Sequence, residues 1–155
     1  MFPKSVGGRE CKNLVTEIES RSAQITTERA WNAPFPKIAV RYRNVTEVHF
    51  RAVAYDWNTF LQRRHSRPEY LNDNERRELL AKAPTLAWSA KLPATADYKE
   101  RVELLPAPEN LKPGFYFLLS SHDPKFGEAD NIVSYTDVFV SDLALVVRPR
   151  EGSIE

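Results

Sequence analysis

Eleven prolines are spread along a chain that holds only five glycines, and that spacing limits its fold more than any other feature. A proline inside a helix removes a backbone hydrogen bond and clashes with the preceding turn, so few stretches remain in which a long helix can run. Short strands separated by proline-bearing turns are the expected outcome. With 155 residues, the chain is sized for one domain with its own hydrophobic core.

The clearest strand signal runs from Glu47 to Tyr55, where Val48, Phe50, Ala52 and Ala54 alternate with His49, Arg51, Val53 and Tyr55. This period of two gives a strand with two different faces. The turn Arg43-Asn44-Val45-Thr46 joins it to a preceding strand at Ile38–Tyr42, and an earlier one is expected at Gln24–Thr27. Further strands are expected at Thr85–Ala90, Tyr98–Leu105, Gly114–Ser121, Ile132–Val140 and Leu143–Arg148. Strands do not alternate with helices, which argues for a mainly β, antiparallel sandwich over a parallel α/β sheet. Its expected core is Phe50, Trp88, Phe115, Phe117, Val138 and Val140, with Tyr116 on the opposite face.

Two stretches carry helical spacing. Cys11, Leu14, Val15 and Ile18 fall on one face of a helix expected over 8–20. From 56 to 84 a helical insertion is expected: Asp56 caps a turn carrying Trp57, Phe60 and Leu61, and a charged helix with Leu79 and Leu80 follows. The organisation read from the sequence is a leading helical segment at 1–22, a sandwich at 23–150 with the insertion at 56–84, and the start of a linker at 151–155.

Lys and Arg number 22 against 21 Asp and Glu. A balanced chain has no global field to attract nucleic acid or an anionic membrane. No apolar run approaches the roughly 18 residues of a membrane span, and Met1–Ser5 lacks an apolar signal segment. The expectation is a module cut from a longer secreted protein. The single cysteine, Cys11, rules out an internal disulfide and a Cys-rich metal site. On an amphipathic helix it is expected to be a small buried hydrophobe, not a nucleophile.

The three histidines, His49, His65 and His122, have no metal-binding spacing, so no metal or cofactor is expected. His122-Asp123 offers an acid–base pair on a loop, but Asp123-Pro124 with Lys125, Gly127 and Asp130 reads first as turn chemistry. Nucleophile-elbow, phosphate-loop and zinc-protease motifs are absent from the sequence. No catalytic, cofactor-binding or metal-ligating residue is assigned. Trp31, Trp57 and Trp88 with Tyr42, Tyr55, Tyr98, Tyr116 and Tyr135 could build a sugar-binding platform, as in a carbohydrate- or protein-binding sandwich of a secreted or cell-surface protein. Core packing is the preferred reading. The basic run Arg63, Arg64, His65 and Arg67 is offset by Asp73, Glu75 and Glu78. Asn44-Val45-Thr46 spells a glycosylation triplet that carries no weight alone.

Three segments carry a resemblance. Ile38-Ala39-Val40-Arg41-Tyr42-Arg43-Asn44-Val45-Thr46-Glu47-Val48-His49-Phe50-Arg51-Ala52 resembles the Tyr-Arg-Asn segment in the N-terminal region of large bacterial alpha-2-macroglobulin family proteins. Leu111-Lys112-Pro113-Gly114-Phe115-Tyr116-Phe117-Leu118 is similar to the Leu-x-Pro-Gly-x-Tyr strand start of macroglobulin-like (MG) domains. Asp137 to Arg148, through Ser141-Asp142-Leu143-Ala144, is similar to the segment leading from one such domain into the next. The resemblance implies a macroglobulin or immunoglobulin-like seven-stranded sandwich in a periplasmic or extracellular protease-trapping protein, acting as a non-catalytic structural and interdomain-contact module. Its partners would be neighbouring domains of the same chain, with proteases met only through the full-length parent, and nucleic acid and a membrane span excluded. The family's Cys-x-Glu-Gln thioester has no counterpart here, since Lys12-Asn13-Leu14 follow Cys11.

Overall fold

The structure, a computed structural model, describes residues 6–63, 68 and 70–142. The first described element is helix α1 (Val6–Glu19), followed by strands β1 (Ser22–Thr26), β2 (Ala30–Trp31), β3 (Ile38–Arg43) and β4 (Glu47–Tyr55). Helices α2 (Trp57–Arg63) and α3 (Asp73–Ala81) fill the interval where helix was expected. Strands β5 (Leu86–Lys91), β6 (Arg101–Leu105), β7 (Gly114–Ser121) and β8 (Ser134–Val140) complete the described part. The expected strand at Leu143–Arg148 lies outside the described residues.

The strands form two sheets, one of order β1-β3-β6 and one of order β2-β8-β7-β4-β5. Among the described residues every pairing is antiparallel except the two-residue parallel bridge of β2 to β8, which sets Ala30 against Phe139 and Trp31 against Val140. That bridge is too short to leave a period in the sequence. The turn after β3 does not close a hairpin. β3 and β4 belong to different sheets, so Arg43–Thr46 is an arch that carries the chain across the sandwich.

Two cores result. The first fills the space between the sheets with Ile38, Val40 and Tyr42 of β3, Val48 and Phe50 of β4, Tyr116 and Leu118 of β7, and Val138 and Val140 of β8. The second lies on the outer face of the larger sheet, where Val53, Phe115, Phe117 and Leu119 meet Phe60 of α2 and Leu79 of α3. The molecule therefore has three layers. This corrects the expected core: Phe115 and Phe117 pack under the helices, and only Phe50, Trp88, Val138 and Val140 of the expected set belong to the sandwich interior, Trp88 half-buried and stacked on Phe50 at 5.0 Å. β7 shows why. Phe115-Tyr116-Phe117-Leu118-Leu119 is an unbroken apolar run, which a strand needs when both its faces are covered.

Local chemistry places the helical layer. Asn72 Oδ1 accepts from the Glu75 backbone N–H at 3.1 Å, while Glu75 Oε2 accepts from the Asn72 N–H at 2.7 Å. This capping box satisfies two of the free donors that open α3 and turns Leu79 into the core. Lys82, just past α3, sets its ammonium 3.5 Å from the ring centroid of Tyr55, a cation–π contact between the helical layer and the sheet.

Candidate contact site at the foot of the leading helix

α1 departs from expectation. Its side chains from Arg9 to Glu19 are exposed, Cys11 among them, and Leu14, Val15 and Ile18 show solvent 57%, 51% and 47% of their surface. The helix stands beside the sandwich and is not packed into it. Cys11 is thus an exposed thiol, which overturns the expectation of a small buried hydrophobe.

What holds the foot of α1 is polar. Arg43, the last residue of β3, donates from Nη2 to the Glu17 carbonyl at 3.0 Å and to Ser20 Oγ at 2.6 Å. Asn44 donates from Nδ2 to the Ile18 carbonyl at 2.7 Å and to the Ser20 carbonyl at 3.0 Å. Asn44 holds φ 56°, the left-handed region that asparagine tolerates better than most residues. Its backbone N–H donates to Oγ1 of the buried Thr95 at 2.8 Å. Next to them Tyr42 is fully buried, and its hydroxyl donates to the Pro93 carbonyl at 2.9 Å. Burial, with Glu103 second, pushes the Tyr42 phenol above its usual range, so it stays a neutral donor.

Tyr42, Arg43 and Asn44 thus gather the end of α1 and the segment after β5 onto one end of the sandwich. The sequence marked the turn at Arg43–Thr46 but gave no hint of Ser20 or Thr95 as partners. Nothing local links residues 51 positions apart, as Asn44 and Thr95 are. The glycosylation triplet also resolves: the Asn44 amide nitrogen is engaged with two carbonyls.

The second family-like segment closes on itself. Gly114 sits at φ 156°, a conformation side-chain-bearing residues avoid, with the Tyr116 ring 3.5 Å from where a Cβ would stand. The Tyr116 hydroxyl donates back to the Lys112 carbonyl at 2.9 Å. Pro113-Gly114 therefore turns the chain into β7, and Tyr116 locks that turn.

His122 and Asp123 line an open cleft of about 1010 Å³ beside the foot of α1, with Thr16, Glu19, Arg21 and Asp130. The Asp123 carboxylate is committed to its own turn, accepting from the Lys125 N–H at 3.0 Å and the Gly127 N–H at 2.9 Å. Those two bonds pull its pKa below the usual carboxylate range. His122 keeps Nδ1 buried without a hydrogen-bond partner among the described residues, and burial, then Arg21, lowers its pKa. Ser121 Oγ is buried and occupied by Asp123 and Asn131. The Asp123 carboxylate and the Ser121 hydroxyl are therefore spent on turn geometry. Among the described residues no group of three His, Cys, Asp or Glu side chains could hold a metal ion. No described helix is long and apolar enough to cross a membrane.

The aromatic residues are mostly committed to packing. Trp31 is fully buried and its indole N–H donates to the Glu28 carbonyl at 2.8 Å. Half-buried Trp57 packs on Phe60, Phe115 and Phe139 with centroids 4.9 to 6.0 Å apart. Tyr98 is exposed, and its φ of 57° starts β6 three residues later than expected. Of the basic run, the Arg63 side chain and residues 64–67 lie outside the described part. No family model, curated protein or solved structure matches the chain.

Proposed function

We propose that the chain is a non-catalytic structural and interdomain-contact module, a macroglobulin-like sandwich from a large bacterial alpha-2-macroglobulin family protein of the periplasm or cell exterior. The observation that carries this reading is where the polar groups of the family-like segments go. Tyr42, Arg43 and Asn44 bind the carbonyls of adjoining segments, and Tyr116 binds the carbonyl four residues before it. All of them serve joints of the fold. The Tyr116–Lys112 closure has the form of the tyrosine corner of immunoglobulin-like sandwiches, where a tyrosine hydroxyl bonds to the backbone a few residues upstream. This supports the finer fold type beyond the two-sheet architecture.

In this reading the module supplies rigid surfaces to neighbouring domains of the same polypeptide. The outer face of the three-stranded sheet carries exposed Val102 and Leu104, and α1 carries Leu14, Val15 and Ile18. The rival reading, a glycan-binding sandwich, would need open aromatic faces. It loses Trp31 to the core and the Trp57 faces to three phenylalanines.

The test places a photoreactive amino acid at Val15 or Val102 in the natural gene product. Cross-links to stretches of the same polypeptide outside these 155 residues are the expected result. Cross-links found only with saccharide or unrelated proteins contradict the proposal.

A further inference from the structure

We infer that Arg43, Asn44 and Thr95 form a clamp that fixes the direction in which α1 leaves the sandwich, making the helix a rigid arm. The last carbonyls of a helix have no partner within it, and α1 has no basic residue in its last turn to meet them. Ser20 meets the Glu17 carbonyl locally, from its N–H at 3.3 Å and its hydroxyl at 2.7 Å, and donors from another part of the chain add to it: Arg43 reaches the Glu17 carbonyl and Ser20 Oγ, and Asn44 reaches the Ile18 and Ser20 carbonyls. The Arg43 guanidinium also sets a positive charge at the negative end of the helix dipole.

Four bonds from two adjacent side chains to four separate atoms fix an orientation, where one bond would fix only proximity. The clamp is anchored inward as well. Thr95, 7% exposed, accepts from the Asn44 N–H, and the left-handed backbone of Asn44 aims its amide at the helix. Packing does not orient α1, because its side chains from Arg9 to Glu19 are exposed. An isolated helix of 14 residues containing Gly7 and Gly8 is marginal in water, so α1 draws both its direction and part of its persistence from the clamp.

The test uses the chain's only cysteine. A spin label on Cys11 and a second on Glu109→Cys, in the exposed turn before β7, report the arm-to-sandwich distance by pulsed electron resonance. The unaltered clamp is expected to give one narrow distance population. Asn44→Gly keeps the backbone conformation and removes the amide. Combined with Arg43→Ala, it is expected to broaden that distribution several-fold, while the melting of the sandwich stays cooperative. A broad distribution with the clamp intact overturns the inference, as does an unchanged narrow one in either the single or the double variant.

Discussion

Phe117 and Leu118 are neighbours in the chain, both essentially inaccessible to solvent, and they belong to different cores. Phe117 meets Phe60 and Tyr55 beneath the helical layer, with centroids 5.7 and 5.3 Å away. Leu118 faces the three-stranded sheet across the sandwich. The alternation of one strand thus bonds three layers together, and the separate loads on its two faces can be measured.

Phe117→Ala should cost roughly 3 to 5 kcal/mol and Leu118→Ala roughly 2 to 5 kcal/mol, the ranges for emptying well-packed sites. Their local effects should differ. Hydrogen exchange should quicken in α3 for Phe117→Ala and in β3 for Leu118→Ala. A Phe117→Ala cost below about 1 kcal/mol in denaturant melts would place that side chain at the surface and break the three-layer description.

His122 gives the fold an acid sensitivity near neutrality. Its pKa is pushed below the ordinary value of 6.5 by burial and by Arg21, against the pull of Asp123. A base harder to protonate when folded leaves the unfolded chain binding more protons as pH falls through that ordinary value. Its contribution is therefore complete above pH 6.5 and declines below it. Urea midpoints should drop between about pH 7.5 and about pH 5.5, and by less in His122→Asn. Equal drops in both proteins would count against the buried Nδ1.

Asp123 titrates in the same sense at lower pH. Its carboxyl pKa lies below the ordinary 3.8 because the Lys125 and Gly127 amides bind the charged form. Its stabilisation is present above that ordinary value and is lost as pH falls through the lower folded value. The melting temperature of Asp123→Asn should lie below that of the unaltered chain near neutrality, and the gap should close in strong acid. A gap independent of pH would show that the turn does not depend on the charge.

Much of the fold was legible because it rests on period. Glu47–Tyr55 and Gly114–Ser121 are strands over the expected residues, since alternation or an unbroken apolar run survives in one dimension. The face of Phe115 and Phe117 was not legible: a strand covered on both sides has two apolar faces, and only the tertiary placement of α2 and α3 says which layer takes which. Cys11 misled for a related reason. Amphipathic spacing shows that a helix has an apolar side and says nothing of whether the same chain covers it. The clamp was half visible, with Arg43 and Asn44 in a recognised turn while their partners at Glu17–Ser20 and Thr95 are joined to them only by the fold.

The proposed function requires a module with no trapping or catalytic power of its own. The most direct measurement incubates the isolated chain with a trypsin-like and an elastase-like protease at a molar excess of chain, following cleavage of a large protein substrate and running the mixture on a denaturing gel. The account predicts undiminished substrate cleavage, gradual loss of the chain at exposed loops, and no adduct that survives denaturation. Stoichiometric inhibition, or a protease-sized shift of the band, would reveal a self-contained inhibitor and contradict it.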